Sequence, residues 1–230
     1  MTKYLDYLIV FLSKIKNSLV LLRVRQRLNK SKNTKNPIKQ QLEIYNEEGF
    51  AKELSFWGEQ NVWRELELLL CLKSGKVLDM CCGVGGTMHR LNKFQDMEVH
   101  GFDISKFLIG KAVESGINSE RVKVANAIKT DYPEDFFDYS YSIGSLEHFT
   151  EKDILLFLKE TKKITKYTTM HQIPVARNES FTGWLELDQS YFNMPEEWWT
   201  IKFKKYFKEV YIIDSSWEDS ISFGKWFICK

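Results

Sequence analysis

Cysteine and histidine are scarce in this chain, four of each among 230 residues. Cys71, Cys81, Cys82 and Cys229 form no Cys-x-x-Cys pair and no spaced framework. That excludes a disulfide scaffold and points to a reducing, cytoplasmic compartment with free thiols. His89, His100, His148 and His171 are scattered, and none stands at zinc-ligand spacing from a cysteine, so no metal site is expected. An uninterrupted apolar run is also missing. Asp6, Lys14, Lys16 and Asn17 break the most apolar stretch, which falls short of the ~20 residues that a membrane span needs. No small-residue cleavage site follows it, which argues against a secretory signal. Internal repeats and low-complexity tracts are lacking too. The length suits one α/β domain with a helical extension and is short for two full domains.

Charge is present but unevenly placed. Residues 1–40 hold ten Lys or Arg against one Asp, and the rest holds 23 basic against 30 acidic residues. Leu5, Leu8, Leu12, Ile15, Leu19 and Leu22 recur at three- and four-residue steps, which predicts a basic amphipathic helix over residues 4–28. Such a helix suits packing on its own domain, homodimerisation or, through residues 1–30, an anionic membrane surface; nucleic acid is a less favoured partner for the same basic arm. A polar linker follows at 29–40. The domain proper is expected over 41–230.

Residues 41–73 read as helices. Strand-like runs at Lys76–Cys81, Val99–Phe102, Val122–Ala125, Phe136–Ile143 and Tyr167–His171 then alternate with helical runs such as Ser105–Ser115 and Lys152–Ile164. This alternation predicts a doubly wound, mostly parallel sheet with helices on both faces. Val210–Ile213 and Ser222–Cys229, separated by polar Asp214–Asp219, predict an antiparallel strand pair at one edge. Five of the seven tryptophans lie beyond residue 180. The aromatic residues Phe181, Trp184, Tyr191, Phe192, Trp198 and Trp199 mark 172–200 as an expected acceptor lid, part of their surface packing the segment onto the sheet.

The most informative stretch is Val77-Leu78-Asp79-Met80-Cys81-Cys82-Gly83-Val84-Gly85-Gly86-Thr87, an apolar strand running into a glycine-rich turn and a helix. Glycines there let a ligand approach the backbone, and the helix start offers free N–H groups. A dinucleotide fingerprint requires Gly-x-Gly-x-x-Gly, but counting from Gly83 the sixth position is Met88. A phosphate-binding Gly-Lys-Ser/Thr is absent. Asp79, just before the turn, repels a pyrophosphate and suits a ligand with a cationic end. A second strand, Val99-His100-Gly101-Phe102-Asp103-Ile104, ends in a carboxylate 18 residues after Gly85, where it can accept hydrogen bonds from two ribose hydroxyls. The competing structural role for Asp103 is a helix cap, with Ser105 as a rival cap.

Together these segments resemble the class I S-adenosylmethionine-dependent methyltransferases, a Rossmann-like family whose first motif reads hydrophobic-Leu-Asp-x-Gly-Cys-Gly-x-Gly. The resemblance covers about residues 41–170 and the final strand pair. It implies S-adenosylmethionine as cofactor. It places Asp79, Cys81, Gly83 and Gly85 in the first motif, Asp103 with Ile104 at the ribose, and Asn126 with Ala127 at the adenine. Phe137–Ser142 resembles the fourth-strand motif, which adds Ser142, and Ser145-Leu146-Glu147-His148-Phe149 resembles the segment after it. Cys81 stands where the family has its first glycine, Asn126 where it often has an acid, and Ile164-Thr165-Lys166-Tyr167 where it has Pro-Gly-Gly.

Transfer of a sulfonium methyl needs in-line alignment above all, because the leaving thioether is neutral. A hydroxyl acceptor also needs a base, and His148, His171 and Glu147 are the candidates. The expected acceptor is a hydroxyl of a glycan, lipid-linked sugar or other polar metabolite. The alternatives are O- or N-methylation of a soluble small molecule, or a non-catalytic cofactor-binding protein of the same fold. Nucleic-acid methylation is disfavoured, since Ser142-Ile143-Gly144-Ser145 replaces an Asp/Asn-Pro-Pro-aromatic motif. Met88 and Asp79 also disfavour an NAD-linked oxidoreductase.

Overall fold

The computed structural model describes residues 39–59, 61–186 and 189–230, together with Leu12, Ile15, Ser18, Leu19 and Leu22. Those five are helical and exposed; the rest of the expected amphipathic helix and linker lies outside the described residues. Among the described residues no helix is long and apolar enough to cross a membrane.

Among the described residues nine strands follow in chain order: β1 (Gly75–Met80), β2 (Met97–Asp103), β3 (Val122–Val124), β4 (Phe137–Ile143), β5 (Thr165–Ala176), β6 (Gly183–Leu185), β7 (Tyr191–Asn193), β8 (Val210–Glu218) and β9 (Ser222–Cys229). Seven make one sheet in the order β3-β2-β1-β4-β5-β9-β8, with β6 and β7 a separate hairpin. Strands β1 to β5 run parallel, while β9 lies antiparallel to both β5 and β8. This is the Rossmann-like doubly wound sheet with its C-terminal antiparallel pair.

Within described residues 39–230 the helices beside it are α1 (Glu48–Leu54), α2 (Val62–Leu70), α3 (Gly86–Leu91), α4 (Lys106–Glu114), α5 (Glu151–Ile164) and α6 (Glu196–Phe203). Strand periodicity divides the core between the two faces. Val77, Val99, Tyr141 and Met170 pack with Leu66 of α2, Met88 of α3 and Ala112 of α4. Leu78, Phe102, Phe137 and Ile173 pack with Phe157 of α5 and Phe203 of α6. Strand order reverses between β1 and β4, so the crevice at the carboxyl ends of these strands is where such a sheet receives a ligand.

Two strands run further than their sequences imply. β5 continues past His171 to Ala176, because Gln172–Ala176 pair antiparallel with Ser222–Trp226. Gln172 and Pro174 look like breakers only until that partner strand is known. β8 runs through most of the polar Asp214–Asp219 stretch, with a register shift between Asp214 and Glu218.

Candidate active site

A cavity of about 920 Å³, counting its open mouth, lies at the carboxyl ends of β1, β2 and β4. Asp79, Cys81, Gly83 and Asp103 line it, as do Ile104, Asn126, Ala127 and His148.

Asp103 is the best-defined group there. The Gly83 N–H donates to its Oδ2 at 3.0 Å and the Ser105 N–H to its Oδ1 at 2.9 Å. Each oxygen is thereby oriented and keeps a lone pair for a ligand hydroxyl. Ser105, not Asp103, caps α4, since its Oγ accepts from the Leu108 N–H at 3.1 Å. Burial raises the Asp103 pKa, against the opposing pull of these backbone donors. Asp79 is 4% exposed and accepts a hydrogen bond from Thr87 Oγ1. Burial lifts its pKa to about 7, the Thr87 bond opposing. A buried carboxyl of this kind gains from a cationic ligand beside it.

The turn between these acids is built from left-handed residues. Gly83 and Gly85 have φ of 54° and 78°. Cys81 has φ of 64° without being glycine, which costs ~1–2 kcal/mol. Gly85 does not line the cavity; a Cβ on it would lie 3.0 Å from Ile117, so it serves the turn and the packing behind it. Gly86 also makes room for a neighbour, since a Cβ there would lie 2.6 Å from the Trp63 ring, which walls the cavity. Asn126 Oδ1 accepts from the Ile128 N–H at 3.2 Å, which orients the amide and leaves its N–H donors for a ligand.

The two candidate histidines part company. His148 lines the cavity, and its Nδ1 lies 2.8 Å from the Ser190 carbonyl oxygen. A carbonyl only accepts, so Nδ1 carries the proton and Nε2 keeps its lone pair. Burial lowers the His148 pKa to about 4 although the Ser190 bond opposes it. Nε2 lies 3.8 Å from Glu147 Oε1. Glu147 is 4% exposed and sits just behind the cavity wall, with Oε2 lacking a hydrogen-bond partner. Burial raises its pKa to about 8.

His171, by contrast, is not brought to the cavity. Because β5 continues beyond it, it sits in mid-strand on the α5 face, fully buried. Its Nδ1 meets Ser142 Oγ at 2.8 Å and its Nε2 meets Thr169 Oγ1 at 3.0 Å. Ser142 is its register partner on β4 and faces the same core, so it does not line the cavity either.

The segment 172–200 contributes Gln189 to the cavity. Trp184, Phe192 and Trp199 pack into the α5 face of the core, and Phe181 into a small cluster with Leu185. The aromatic wall comes from elsewhere, in Tyr45, Phe50, Trp57 and Trp63 of the helical segment before β1. Their sequence shows them only as apolar helix positions. The one signal that could have drawn Trp63 to the site was the third glycine of the turn, Gly86.

Comparison with known proteins fits this geometry. Residues 77–167 match a family described as a methyltransferase domain. Phosphoethanolamine N-methyltransferase 3 of Arabidopsis thaliana is 35% identical over 112 residues, 47% of this chain and 22% of the relative. Ajmaline N-methyltransferase of Rauvolfia serpentina is 32% identical over 97 residues, 40% of this chain and 33% of the relative. The chain thus covers well under half the length of either. Among solved structures, the PH0226 protein of Pyrococcus horikoshii OT3 superposes with a TM-score of 0.58 at 22% identity, covering 81% of this chain and 93% of that one. Phosphoethanolamine N-methyltransferase 2 of Haemonchus contortus, solved with S-adenosyl-L-methionine, gives 0.60 at 16% identity, covering 78% and 56%. At these identities the superpositions speak for the fold.

Proposed function

We propose, from the premise that this chain carries a domain of the class I S-adenosylmethionine-dependent methyltransferase family, that it binds S-adenosylmethionine in the described cavity and transfers its methyl group to a small-molecule acceptor. The observation that carries this reading is the Asp103 carboxylate, with both oxygens oriented by backbone N–H groups toward the cavity. It accepts the ribose hydroxyls. Asp79 receives the methionine ammonium, and Asn126 with Ala127 meets the adenine. The bound cofactor supplies an electrophilic methyl on a sulfonium. The protein supplies alignment, which in well-oriented cases is worth ~7–11 kcal/mol.

His148 bears on the choice of acceptor atom. A hydroxyl of a glycan or other polar metabolite needs a base to take its proton, and a histidine with a pKa of about 4 is a weak one. An unprotonated nitrogen already carries a free lone pair, which supports N-methylation of a small molecule over O-methylation. The relatives named as N-methyltransferases support the same reading. Calorimetry with S-adenosylmethionine and with NAD tests the cofactor. Binding of the first alone is expected, and binding of NAD alone would overturn the proposal.

A second reading concerns residues 1–30. Leu12, Ile15, Leu19 and Leu22 are helical and 41–61% exposed, within a segment rich in Lys and Arg. Such a face suits an anionic bilayer. Equal pelleting with anionic vesicles before and after removal of residues 1–35 would sink that idea.

A further inference from the structure

Tyr141 is fully buried, and among the described residues no other tyrosine is. It stands on β4 among apolar neighbours that include Leu66, Val77, Met88 and Met170. A phenylalanine would fill the same space without burying a hydroxyl, and a buried hydroxyl left without a partner is costly. The Tyr141 hydroxyl makes no close hydrogen bond, and the groups it interacts with are Asp79 and Thr87, with the Cys82 thiol nearby. Burial holds its pKa well above the ordinary value, so the phenol keeps its proton to donate. Strand register explains the meeting with Asp79. That residue of β1 is the register partner of Tyr141, and such partners project from the same face of a sheet. Thr87, buried in the first turn of α3, donates from Oγ1 to Asp79 Oδ2. Three elements thus bring one carboxyl and two hydroxyls together. Asp79 and Thr87 line the cavity, and Tyr141 stands behind them.

We propose that Tyr141 and Thr87 are positioning residues of the cofactor site, which act by holding the Asp79 carboxylate ionised and aimed at the ligand ammonium. Both are hydroxyls that donate to a carboxylate without bringing a charge of their own. A lysine or arginine in either place would also hold the carboxylate, but would neutralise it before the ligand arrived. Among the described residues no cation faces Asp79. Its other ionisable neighbours are the Asp103 carboxyl of β2, which opposes its ionisation, and the thiols of Cys81 and Cys82 in the turn. The two hydroxyls are therefore what the protein itself sets against burial.

The arrangement links binding to a proton. Without ligand, burial keeps the Asp79 carboxyl protonated up to about pH 7, the Thr87 and Tyr141 hydroxyls opposing. An ammonium beside it favours the carboxylate. On binding below that pH, the carboxyl O–H bond breaks, its proton passes to the solvent, and the carboxylate left behind accepts from the ammonium N–H. The two hydroxyls set the pH above which no proton is released, because each stabilises the charged form over the neutral one.

This inference rests on the cofactor reading, and its test separates the two. Binding of S-adenosylhomocysteine, which carries the same ammonium, to the full-length protein is followed by calorimetry between about pH 5.5 and about pH 8.5. Two buffers of different ionisation enthalpy report proton release alongside affinity. Wild-type affinity is expected to rise up to about tenfold per pH unit below about pH 7, with a proton released, and to level off above it. Tyr141→Phe and Thr87→Val each remove a donor that favours the charged form. Each should move the midpoint up by about one pH unit, so that affinity near pH 7 falls about fivefold and the deficit closes toward pH 8.5. Thr87→Ser, which keeps the hydroxyl, should keep the wild-type midpoint. Thr87→Ala replaces the valine variant where that folds poorly. A residue that only packs would lower the melting temperature, or affinity at every pH, without moving the midpoint. An unmoved midpoint in one variant removes that residue from the proposal. Unmoved midpoints in both overturn it, as does a wild-type affinity that is flat over this range. Failure of the wild type to bind S-adenosylhomocysteine at any pH overturns the cofactor reading instead. The pH dependence of urea melts, compared between the wild type and Tyr141→Phe, then still judges the hold on Asp79.

Discussion

The two ends of the cavity are built on different plans. At the proposed cofactor end the buried acids are engaged at short range: Asp103 by Gly83 and Ser105, Asp79 by Thr87. All come from one strand-turn-helix unit and the strand beside it. Elsewhere the walls come from segments far apart in the chain, Trp57 before β1, His148 after β4 and Gln189 before β7, and Glu147 behind them leaves Oε2 unpartnered. The first end is set before any ligand arrives. The second leaves a buried Glu147 carboxylate oxygen without a partner.

The largest expected break in this contrast is Asp103→Ala. It removes two charge-assisted bonds to the ribose, each worth ~1.5–3 kcal/mol, so cofactor affinity by calorimetry is expected to fall on the order of a hundredfold or more. Retained affinity would move the ribose elsewhere.

Next come the histidines. His148→Ala is expected to lower single-turnover methyl transfer by ~10- to 100-fold with cofactor affinity little changed, because it removes a cavity-lining group that helps to align the acceptor. His171→Leu should leave turnover near wild type and instead cost ~1–3 kcal/mol of stability, since Ser142 and Thr169 lose their buried partner. Its acid sensitivity should change too. Burial depresses the His171 pKa to about 3, against ~6.5 in an unfolded chain. The unfolded state therefore binds the proton more readily, and stability drains away as pH falls from ~6.5 toward 3. The leucine variant should show a flatter acid limb in pH-dependent urea melts. A large loss of turnover with unaltered melting would return His171 to the chemistry.

Asp79→Asn tests the opposite sign. The folded pKa is about 7 and the unfolded value ~3.9, so the native state holds the proton more tightly. Ionisation costs stability increasingly as pH rises from ~4, and the cost is complete above about 7. At pH 8 the apo Asn variant is expected to gain on the order of 2 kcal/mol, yet bind cofactor ~10-fold more weakly. Wild-type affinity should rise through pH 7 as the carboxylate forms, and the variant's profile should be flat there.

The smallest effect is Cys81→Gly. Relieving a left-handed φ of 64° is expected to raise stability by about 1 kcal/mol or less, part of the relief being offset by the greater freedom of unfolded glycine. Thermal melts at fixed pH would detect it.

The contrast also explains how far the sequence can be read. The strand, glycine turn and helix around Val77–Thr87 and the strand ending in Asp103 are short-range features, visible as apolar runs, glycines and acids at fixed spacing. The alternation of strands and helices is legible for the same reason, since each element carries its own periodicity. Sequence reasoning misplaces His171 because the end of β5 depends on β9, a strand some fifty residues later in the chain. It leaves Trp57 and Tyr45 unassigned because a wall residue and a core residue have the same helical spacing. The aromatics of 172–200, expected over the acceptor, mostly pack inward, where their apolar area is removed from water.

By itself, then, the sequence determined the doubly wound sheet, the left-handed turn after β1 and the acids that flank it, because backbone sterics and local hydrogen bonds act over a few residues. Only the tertiary structure decided which histidine meets the cavity and which aromatics wall it. Those outcomes hang on strand register and on packing between distant segments, and no short stretch of sequence contains them.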